Sequence, residues 1–260
     1  MDLQEILLIT LTSKKSAFIM KFLLPMNWFN LELLFFSETT KFFFDAKGPS
    51  DSVLVEGQNA GDVYQFKIAQ HNRDITHHEE FMMGVMDHVK QLNLVKKSII
   101  LSQVSMPSAN YRHILDECKE VSKLLLFCKV ESGFEYRAGP DFRIDYLHVS
   151  DGHWMHLDDF SNCKKVKVFD RSEHKHLKYA NPEVPRALIR KWIESDCQLE
   201  HLEAYGDWVG IDFREVLSGL EYRKTEQREY SHSVEITRRC DGKKATVTCR
   251  WNYFELKVID

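Results

Sequence analysis

Hydrophobic side chains recur with helical spacing along the segment that follows Val184. They occupy positions i, i+1, i+4 and i+5, namely Leu188, Ile189, Trp192 and Ile193. This spacing predicts an amphipathic helix with one buried stripe, and Pro185 suits its first turn because a residue there needs no amide hydrogen. Polar residues end the pattern at Ser195, and a second apolar group then predicts a short strand with Leu199, Leu202 and Ala204. We therefore expect Leu188, Trp192, Leu199 and Leu202 to lie in the core.

This alternation of helix and strand belongs to an internal repeat with the frame apolar-x-x-apolar-x-apolar. Its copies are Val121/Leu124/Leu126, Ile144/Leu147/Val149, Cys163/Val166/Val168, Leu199/Leu202/Ala204 and Leu217/Leu220/Tyr222. The copies follow one another at intervals of roughly 18 to 36 residues, whereas leucine-rich repeats with this core have a period of about 20–29. Such strand–helix units bury their apolar sides by stacking on their neighbours. The pattern predicts an α/β fold with an irregular leucine-rich-repeat-like solenoid, and an ordinary α/β domain with similar strands is the alternative.

The hydrophobic pattern is different towards the N-terminus. Apolar residues with helical spacing predict helices within 1–25, and one stripe contains Leu3, Ile6, Leu7 and Leu11. Short β-rich runs separated by Gly, Pro and Ser predict a small meander of strands within 26–72. Helices and repeat strands alternate from there onward, so we expect one further domain over 73–260.

The last part of the chain alternates between apolar and polar residues, which is typical of strands with one buried side. This alternation occurs on both sides of Asp241-Gly242. It predicts a C-terminal β-ribbon with a turn centred near Gly242–Lys243, which would place Cys249 opposite Ile236. The charged stretch that precedes Ser231 predicts a loop.

Composition and charge narrow the function classes. With 43% hydrophobic residues, the 260-residue chain can bury a substantial core. A formal net charge of −4 argues against capture of nucleic acid or an anionic membrane by bulk electrostatics. No uninterrupted apolar run reaches the length of about 20 residues that a membrane span needs, and the first residues do not resemble a secretory signal. The six cysteines contain no C-x-x-C pair, so we expect an intracellular protein of the cytoplasm or nucleus.

Motifs of common catalytic sites are absent from the sequence, including G-x-S-x-G, a glycine-rich phosphate loop and H-E-x-x-H. Three histidine groups have the spacing of possible ligands, namely His77/Glu80, His153/His156 and His174/His176. A zinc site needs three or four convergent ligands, and none of these groups has an evident third one. We therefore expect no catalytic residue, no metal and no cofactor. A hydrolase or metalloprotein is the least favoured alternative.

Two aromatic residues, Tyr205 and Trp208, lie at the end of a repeat strand. The loops that follow such strands often carry the binding residues of repeat proteins. Tyr205 and Trp208 are therefore the predicted contacts with a target protein, and packing of the same two rings in the core is an equal alternative.

Several segments resemble the nematode-type F-box-associated domain (type 2). They are CKKVKVFD at Cys163–Asp170, LIRKWIES at Leu188–Ser195, LEHLEAY at Leu199–Tyr205 and DFREVLSGLEYR at Asp212–Arg223. The most specific part is the helix with Trp192 followed by Leu-Glu-x-Leu. In addition, Met1–Lys21 resembles the second half of an F-box, in which a Met-Asp-x-x-Glu helix leads to a Ser-Lys-Lys segment.

This resemblance implies a non-enzymatic substrate-recognition subunit of an SCF-type ubiquitin ligase. The stripe of Leu3, Ile6, Leu7 and Leu11 would bind the adaptor subunit, as the apolar side of a helix binds a groove. The repeat domain would hold an unknown target protein. Because only the C-terminal half of the F-box is recognisable, the second hypothesis is a protein-interaction module that has lost docking to the adaptor.

Overall fold

The chain divides into two compact units, Met1–Cys128 and Lys129–Asp260. The computed structural model describes residues 29–36, 39–46, 52–60, 63–68, 71–75, 94–102, 105–169, 181–206, 212–228, 231–250 and 253–259. The division falls inside the segment 73–260 that the sequence predicts as one domain. The predicted N-terminal helices, with Leu3, Ile6, Leu7 and Leu11, lie outside the described residues. Within the described part of the chain, no helix has the length and apolar character needed to cross a membrane.

The first unit contains a mixed sheet. Its strands are β1 (Phe29–Phe36), β2 (Thr39–Ala46), β3 (Ser52–Ala60), β4 (Val63–Ile68), β5 (His71–Ile75), β6 (Leu94–Ser102) and β7 (Lys123–Leu126). Their order in the sheet is β5-β4-β3-β2-β1-β6-β7. Strands β1 to β5 form an antiparallel meander, whereas β6 runs parallel to both β1 and β7. The strands predicted from the β-rich runs are present, and β5 is an addition that the sequence pattern did not predict.

One helix of the first unit, α1 (Ser108–Glu117), precedes β7. Its buried residues are Tyr111, Ile114 and Leu115, whose spacing of i, i+3 and i+4 places them on one side of the helix. Three consecutive leucines of β7 are buried as well, namely Leu124, Leu125 and Leu126. The amphipathic helix and the parallel strand both contribute buried residues to the core of this unit.

The second unit contains a sheet in which a parallel part adjoins an antiparallel part. Its strands are β8 (Tyr146–Val149), β9 (Lys165–Phe169), β10 (His201–Tyr205), β11 (Arg223–Arg228), β12 (Ser231–Thr237), β13 (Lys244–Arg250) and β14 (Tyr253–Ile259). Its helices are a 3-10 helix (Leu157–Phe160), α2 (Glu183–Glu194) and α3 (Phe213–Val216). The strand order is β8-β9-β10-β14-β13-β12-β11, and only β8, β9 and β10 are parallel to one another.

The fold is therefore mixed α/β, which is the fold class that the sequence predicts. The 3-10 helix lies in the connection from β8 to β9, and α2 lies in the connection from β9 to β10. The stripe predicted for α2 is confirmed, because its buried residues include Leu188, Ile189, Trp192 and Ile193. The repeat positions that fall in β8, β9 and β10 are also buried, namely Leu147, Val149, Val166, Val168, Leu202 and Ala204.

Two predictions for the segment after α3 are wrong. The fifth copy of the repeat, Leu217/Leu220/Tyr222, forms no strand, because it lies in the turn that ends α3 at Gly219, where φ is +75°. The charged stretch before Ser231 forms no loop, because it contains β11, which pairs antiparallel with β12. Edge strands often carry charged side chains, which discourage pairing with other chains, and this explains why β11 resembles a loop in sequence.

The predicted register of the C-terminal hairpin is also wrong, although the hairpin itself is present. Arg238 and Lys243 close the loop, since the amide of Arg238 donates to the carbonyl oxygen of Lys243 over 2.8 Å. Cys249 consequently lies opposite His232 and not opposite Ile236. The loop 239–242 is longer than the two-residue turn that Asp-Gly favours in hairpins.

The side chain of Arg238 connects this hairpin loop to α2. Its Nε donates to Asp241 Oδ1 over 2.9 Å, and one terminal nitrogen donates to the carbonyl oxygen of Cys197 over 2.6 Å. The guanidinium also lies 5.2 Å from the centroid of the Trp192 ring. Because Arg238 is buried, these contacts supply the charge partner and the hydrogen bonds that a buried cation requires.

Candidate functional site

Alternate residues of β8, β9, β10 and β14 point to opposite sides of the sheet in the second unit. One side is buried and contains Leu147, Val149, Val166, Val168, Leu202, Ala204, Phe254 and Leu256. The other side carries partly or fully exposed side chains, namely Tyr146, His148, Lys165, Lys167, Phe169, His201, Glu203, Tyr205, Tyr253, Glu255 and Lys257. We call this second set the open face. The strand register places its members side by side, so they form one surface.

An aromatic row crosses the open face. Phe169, Tyr205 and Tyr253 are register partners on β9, β10 and β14. The rings of Phe169 and Tyr205 stack, with centroids 4.5 Å apart and planes inclined by 10°. The centroids of Tyr205 and Tyr253 are 5.0 Å apart, and the ring of His148 lies 5.5 Å from Phe169. Neighbouring strands thus present a continuous aromatic surface that is only partly buried.

Lys167 lies beside the aromatic row. Its Nζ is 3.1 Å from Glu203 Oε2, and it lies 5.2 Å and 5.5 Å from the ring centroids of Tyr205 and Phe169. The hydrogen bond to Glu203 raises the pKa of the Lys167 ammonium above its usual value. The amine is therefore charged at neutral pH, and it makes a cation–π contact with both rings.

A cluster of one histidine and two glutamates lies next to the aromatic row on the open face. Its members are His201, Glu203 and Glu255. His201 and Glu203 are two residues apart on β10 and so share one side, while Glu255 is the register partner of Glu203 on β14. The Nε2 atom of His201 lies 2.9 Å from Glu255 Oε1 and 3.7 Å from Glu203 Oε1. One ring nitrogen therefore faces two carboxylate oxygens.

Two tyrosines of the aromatic row lie beside these carboxylates. The hydroxyl of Tyr205 donates to Glu203 Oε2 over 3.5 Å, and Tyr253 is two residues from Glu255 on the same side of β14. Burial raises the pKa of both phenols, and the negative charges of the neighbouring glutamates raise it further. Both hydroxyl groups therefore keep their protons at neutral pH and remain hydrogen-bond donors.

The site residues predicted from the sequence do not lie together in the structure. Leu188, Trp192, Leu199 and Leu202 are all buried, and the indole Nε1 of Trp192 donates to the carbonyl oxygen of Leu199 over 3.0 Å. Tyr205 is the last residue of β10 and belongs to the aromatic row. Trp208 and the stripe of Leu3, Ile6, Leu7 and Leu11 lie outside the described residues.

The histidine groups considered from the sequence do not form the cluster on the open face. His153 pairs with Asp151, since its Nδ1 lies 2.9 Å from Asp151 Oδ1. Among the residues that the structure describes, the one group of three ligand-type side chains comprises His201, Glu203 and Glu255. The groups with His77 and His174 lie outside the described residues.

Sequence reasoning identified Tyr205 but missed its neighbours on the open face. A usable signal is present in β10, because His201, Glu203 and Tyr205 alternate with the buried Leu202 and Ala204. That alternation predicts a polar side for this strand. It does not predict the partners on β9 and β14, because those depend on strand pairing between distant segments.

The fold and the site together define a mixed α/β protein with a half-exposed aromatic and charged sheet face. The sequence matches no protein-family model, and no solved structure matches it. The chain is 26% identical over 184 residues to the Skn-1 dependent zygotic transcript 15 protein of Caenorhabditis elegans. The match covers 65% of this chain and 50% of that protein, so the chain spans about half the length of the curated relative.

Proposed function

We propose that this chain is a non-enzymatic substrate-recognition protein, similar to the F-box proteins of SCF-type ubiquitin ligases. It holds a target protein against the open face of the second unit. The observation that carries the proposal is the aromatic row of Phe169, Tyr205 and Tyr253. Tyrosine and other aromatic residues are enriched at protein–protein interfaces and contribute much of their binding energy.

The charges at one end of the open face indicate the chemistry of the target. Lys165 and Lys257 are register partners on either side of His201, and both lysines are exposed. Neither ammonium has an ion-pair partner among the described residues. These two cations lie four residues from the aromatic row along β9 and β14, at the opposite end of the same face. They fit a protein segment that carries acidic residues a few positions away from an apolar side chain, because complementary charge steers and selects partners.

Two further observations support the family proposed here. Strands β8, β9 and β10 are parallel, and their connections contain the 3-10 helix and α2, an arrangement that fits leucine-rich-repeat-like units. The similarity to a C. elegans protein agrees with the resemblance to the nematode-type F-box-associated domain (type 2). In this proposal the stripe of Leu3, Ile6, Leu7 and Leu11 binds the ligase adaptor.

A recruiter of this kind needs no catalytic residue of its own. Binding of the target at the open face and of the adaptor at the N-terminal stripe would bring the target near a separate ubiquitin-transferring enzyme. Proximity and orientation then supply the rate enhancement that the chain contributes.

The adaptor interaction is tested by co-expression of the full chain with the adaptor subunit, followed by size-exclusion chromatography. We expect one co-eluting complex that is lost in the double variant Leu3→Asp/Leu7→Asp. The control is Gln4→Asp, which adds negative charge beside the stripe and should leave the complex intact. A folded chain that elutes without the adaptor would contradict ligase docking and favour the interaction module that has lost it.

The target-binding face is tested separately with synthetic peptides and fluorescence anisotropy. We expect acidic peptides with one central leucine or phenylalanine to bind, and Tyr205→Ser to weaken that binding by about tenfold or more, as loss of a central interface aromatic does. The matched control is Tyr222→Ser, which removes an exposed tyrosine outside the open face. Equal binding of acidic and basic peptides, or equal loss in both variants, would refute the assignment of this face.

A further inference from the structure

The side chains of His201, Glu203 and Glu255 converge on one point of the open face. One ligand atom from each residue lies within 4.8 Å of the other two. A tetrahedral zinc ion with bonds of about 2.0–2.2 Å separates its ligand atoms by about 3.3–3.6 Å. The observed separations of 2.9 Å and 3.7 Å from His201 Nε2 bracket this value, and the two carboxylate oxygens lie within 4.8 Å of each other, so the three atoms are near the spacing of a zinc site.

Hydrogen bonds orient the carboxylate of Glu203 for this role. Lys167 and Tyr205 both donate to its Oε2 atom, whereas Oε1 is the atom that faces His201. Oε1 of Glu255 faces the same ring nitrogen. Outer hydrogen bonds fix the direction of metal-binding carboxylates, and they are present here on Glu203.

Charge also favours a cation at this point. Glu203 and Glu255 lie directly opposite each other on β10 and β14, a position in which like charges destabilise a strand pair. Lys167 neutralises only one of the two, through Oε2 of Glu203. Lys165 and Lys257 flank His201 on the neighbouring strands, so the attraction for a cation comes from the two carboxylates and not from the net charge of the open face.

We propose that His201, Glu203 and Glu255 form a binding site for a divalent transition metal ion, with Zn²⁺ as the ion that fits best. One imidazole nitrogen and two carboxylate oxygens are ligands that zinc accepts, and three protein ligands leave a coordination position open to water. The three strand positions are fixed by the register of β10 and β14, so the site does not depend on a loop. This inference concerns a ligand of the open face and stands independently of the proposed ubiquitin-ligase role.

The test is isothermal titration of the metal-free full chain, purified without a histidine tag, with Zn²⁺ alone. We expect one equivalent to bind, and binding to weaken by about tenfold or more in His201→Gln and in Glu255→Gln, as loss of one ligand of three requires. The matched control is His148→Gln, which removes another histidine of the open face and should bind as the wild type does. Glu255→Gln keeps the size of the side chain and relieves repulsion with Glu203, so we expect this variant to remain folded.

Cysteine is the competing source of zinc ligands, and Cys240 is exposed. Titration with Co²⁺ distinguishes the two sources, because thiolate ligands give an intense near-ultraviolet charge-transfer band and oxygen or imidazole ligands do not. We expect a visible cobalt spectrum without that band, and its loss in His201→Gln. A thiolate band, no binding at all, or equal binding in the wild type and both ligand variants would overturn the proposal.

Discussion

Trp192 connects the helix α2 to the segment that leads into β10. Its side chain is fully buried, its indole nitrogen donates to the carbonyl oxygen of Leu199, and the guanidinium of Arg238 lies over its ring. We expect Trp192→Ala to lower the free energy of unfolding by about 3–5 kcal/mol, as truncation of buried aromatic residues does. The measurement is urea denaturation followed by circular dichroism.

Two further variants separate the contributions to this effect. Trp192→Phe keeps an aromatic ring but leaves the carbonyl oxygen of Leu199 without its donor, so we expect a smaller loss of about 1–3 kcal/mol. Tyr222→Ala removes a tyrosine that is 41% exposed and should change stability by less than about 0.5 kcal/mol. If Trp192→Ala were no more destabilising than Tyr222→Ala, the assignment of Trp192 to the core would be wrong.

The ion pair of Asp241 and Arg238 makes stability depend on pH. The hydrogen bonds that Arg238 donates hold the pKa of the Asp241 carboxyl well below its usual range. A carboxyl whose pKa is depressed by folding stabilises the folded state above its unfolded pKa of about 3.9, and this contribution is lost as the pH falls below that value. We therefore expect Asp241→Asn to be less stable than the wild type at pH 7, with the difference shrinking below about pH 4.

Urea midpoints of the wild type and Asp241→Asn, measured from pH 7 down to pH 2.5, give this difference directly. Other carboxylates titrate in the same range, but they are common to both proteins and cancel in the comparison. The matched control is Asp196→Asn, for which no ion pair with another described residue is present. A difference between wild type and Asp241→Asn that stays constant with pH would show that the carboxylate charge is unimportant.

Local hydrophobic patterns in the sequence predicted the helices and strands that have one buried side. They did not predict the elements without a buried side. The stripe of Leu188, Ile189, Trp192 and Ile193 specifies α2, because one buried side imposes the helical period on the sequence. Strand β11 carries no such pattern, since its charged residues suit an exposed sheet edge and a loop equally well. Leu217 and Leu220 have the spacing of a repeat strand, but the positive φ of Gly219 turns the chain there.

The hairpin of β12 and β13 depends on one glycine. Gly242 has φ of +74° in the loop 239–242, a conformation that costs a residue with a Cβ atom about 1–2 kcal/mol. Apart from its chain neighbours, no atom of the described residues lies within 4 Å of the place that a Cβ would take, so the cost is conformational and does not come from crowding. We expect Gly242→Ala to destabilise the second unit by about 1–2 kcal/mol in urea denaturation.

Gly133 provides the matched control for this substitution. No atom of the described residues lies within 4 Å of the place that a Cβ would take at Gly133, and its φ is not positive. Gly133→Ala should therefore be neutral or slightly stabilising. Equal effects of the two substitutions would show that the left-handed conformation of Gly242 does not determine the stability of the hairpin.

Local sequence patterns could not predict the open face, because its residues come together only when strands that are distant in sequence pair. Phe169, Tyr205 and Tyr253 come together through one parallel and one antiparallel register. Neither register follows from the alternation within a single strand, which fixes only which residues share a side. The same holds for Glu255, whose position opposite Glu203 depends on where β14 inserts beside β10.

The second unit has the features of an independently folding domain. Residues 129–260 fall within the size of about 100–150 residues that is most common for domains, and the unit contains seven described strands and many buried hydrophobic residues. We expect a fragment of residues 129–260 to unfold cooperatively and to give a dispersed amide NMR spectrum. Trp192→Ala in the fragment should lower the thermal midpoint, while Tyr222→Ala should not, because only the first ring is buried. A fragment that melts gradually and binds hydrophobic dyes would show that this core is completed by the rest of the chain.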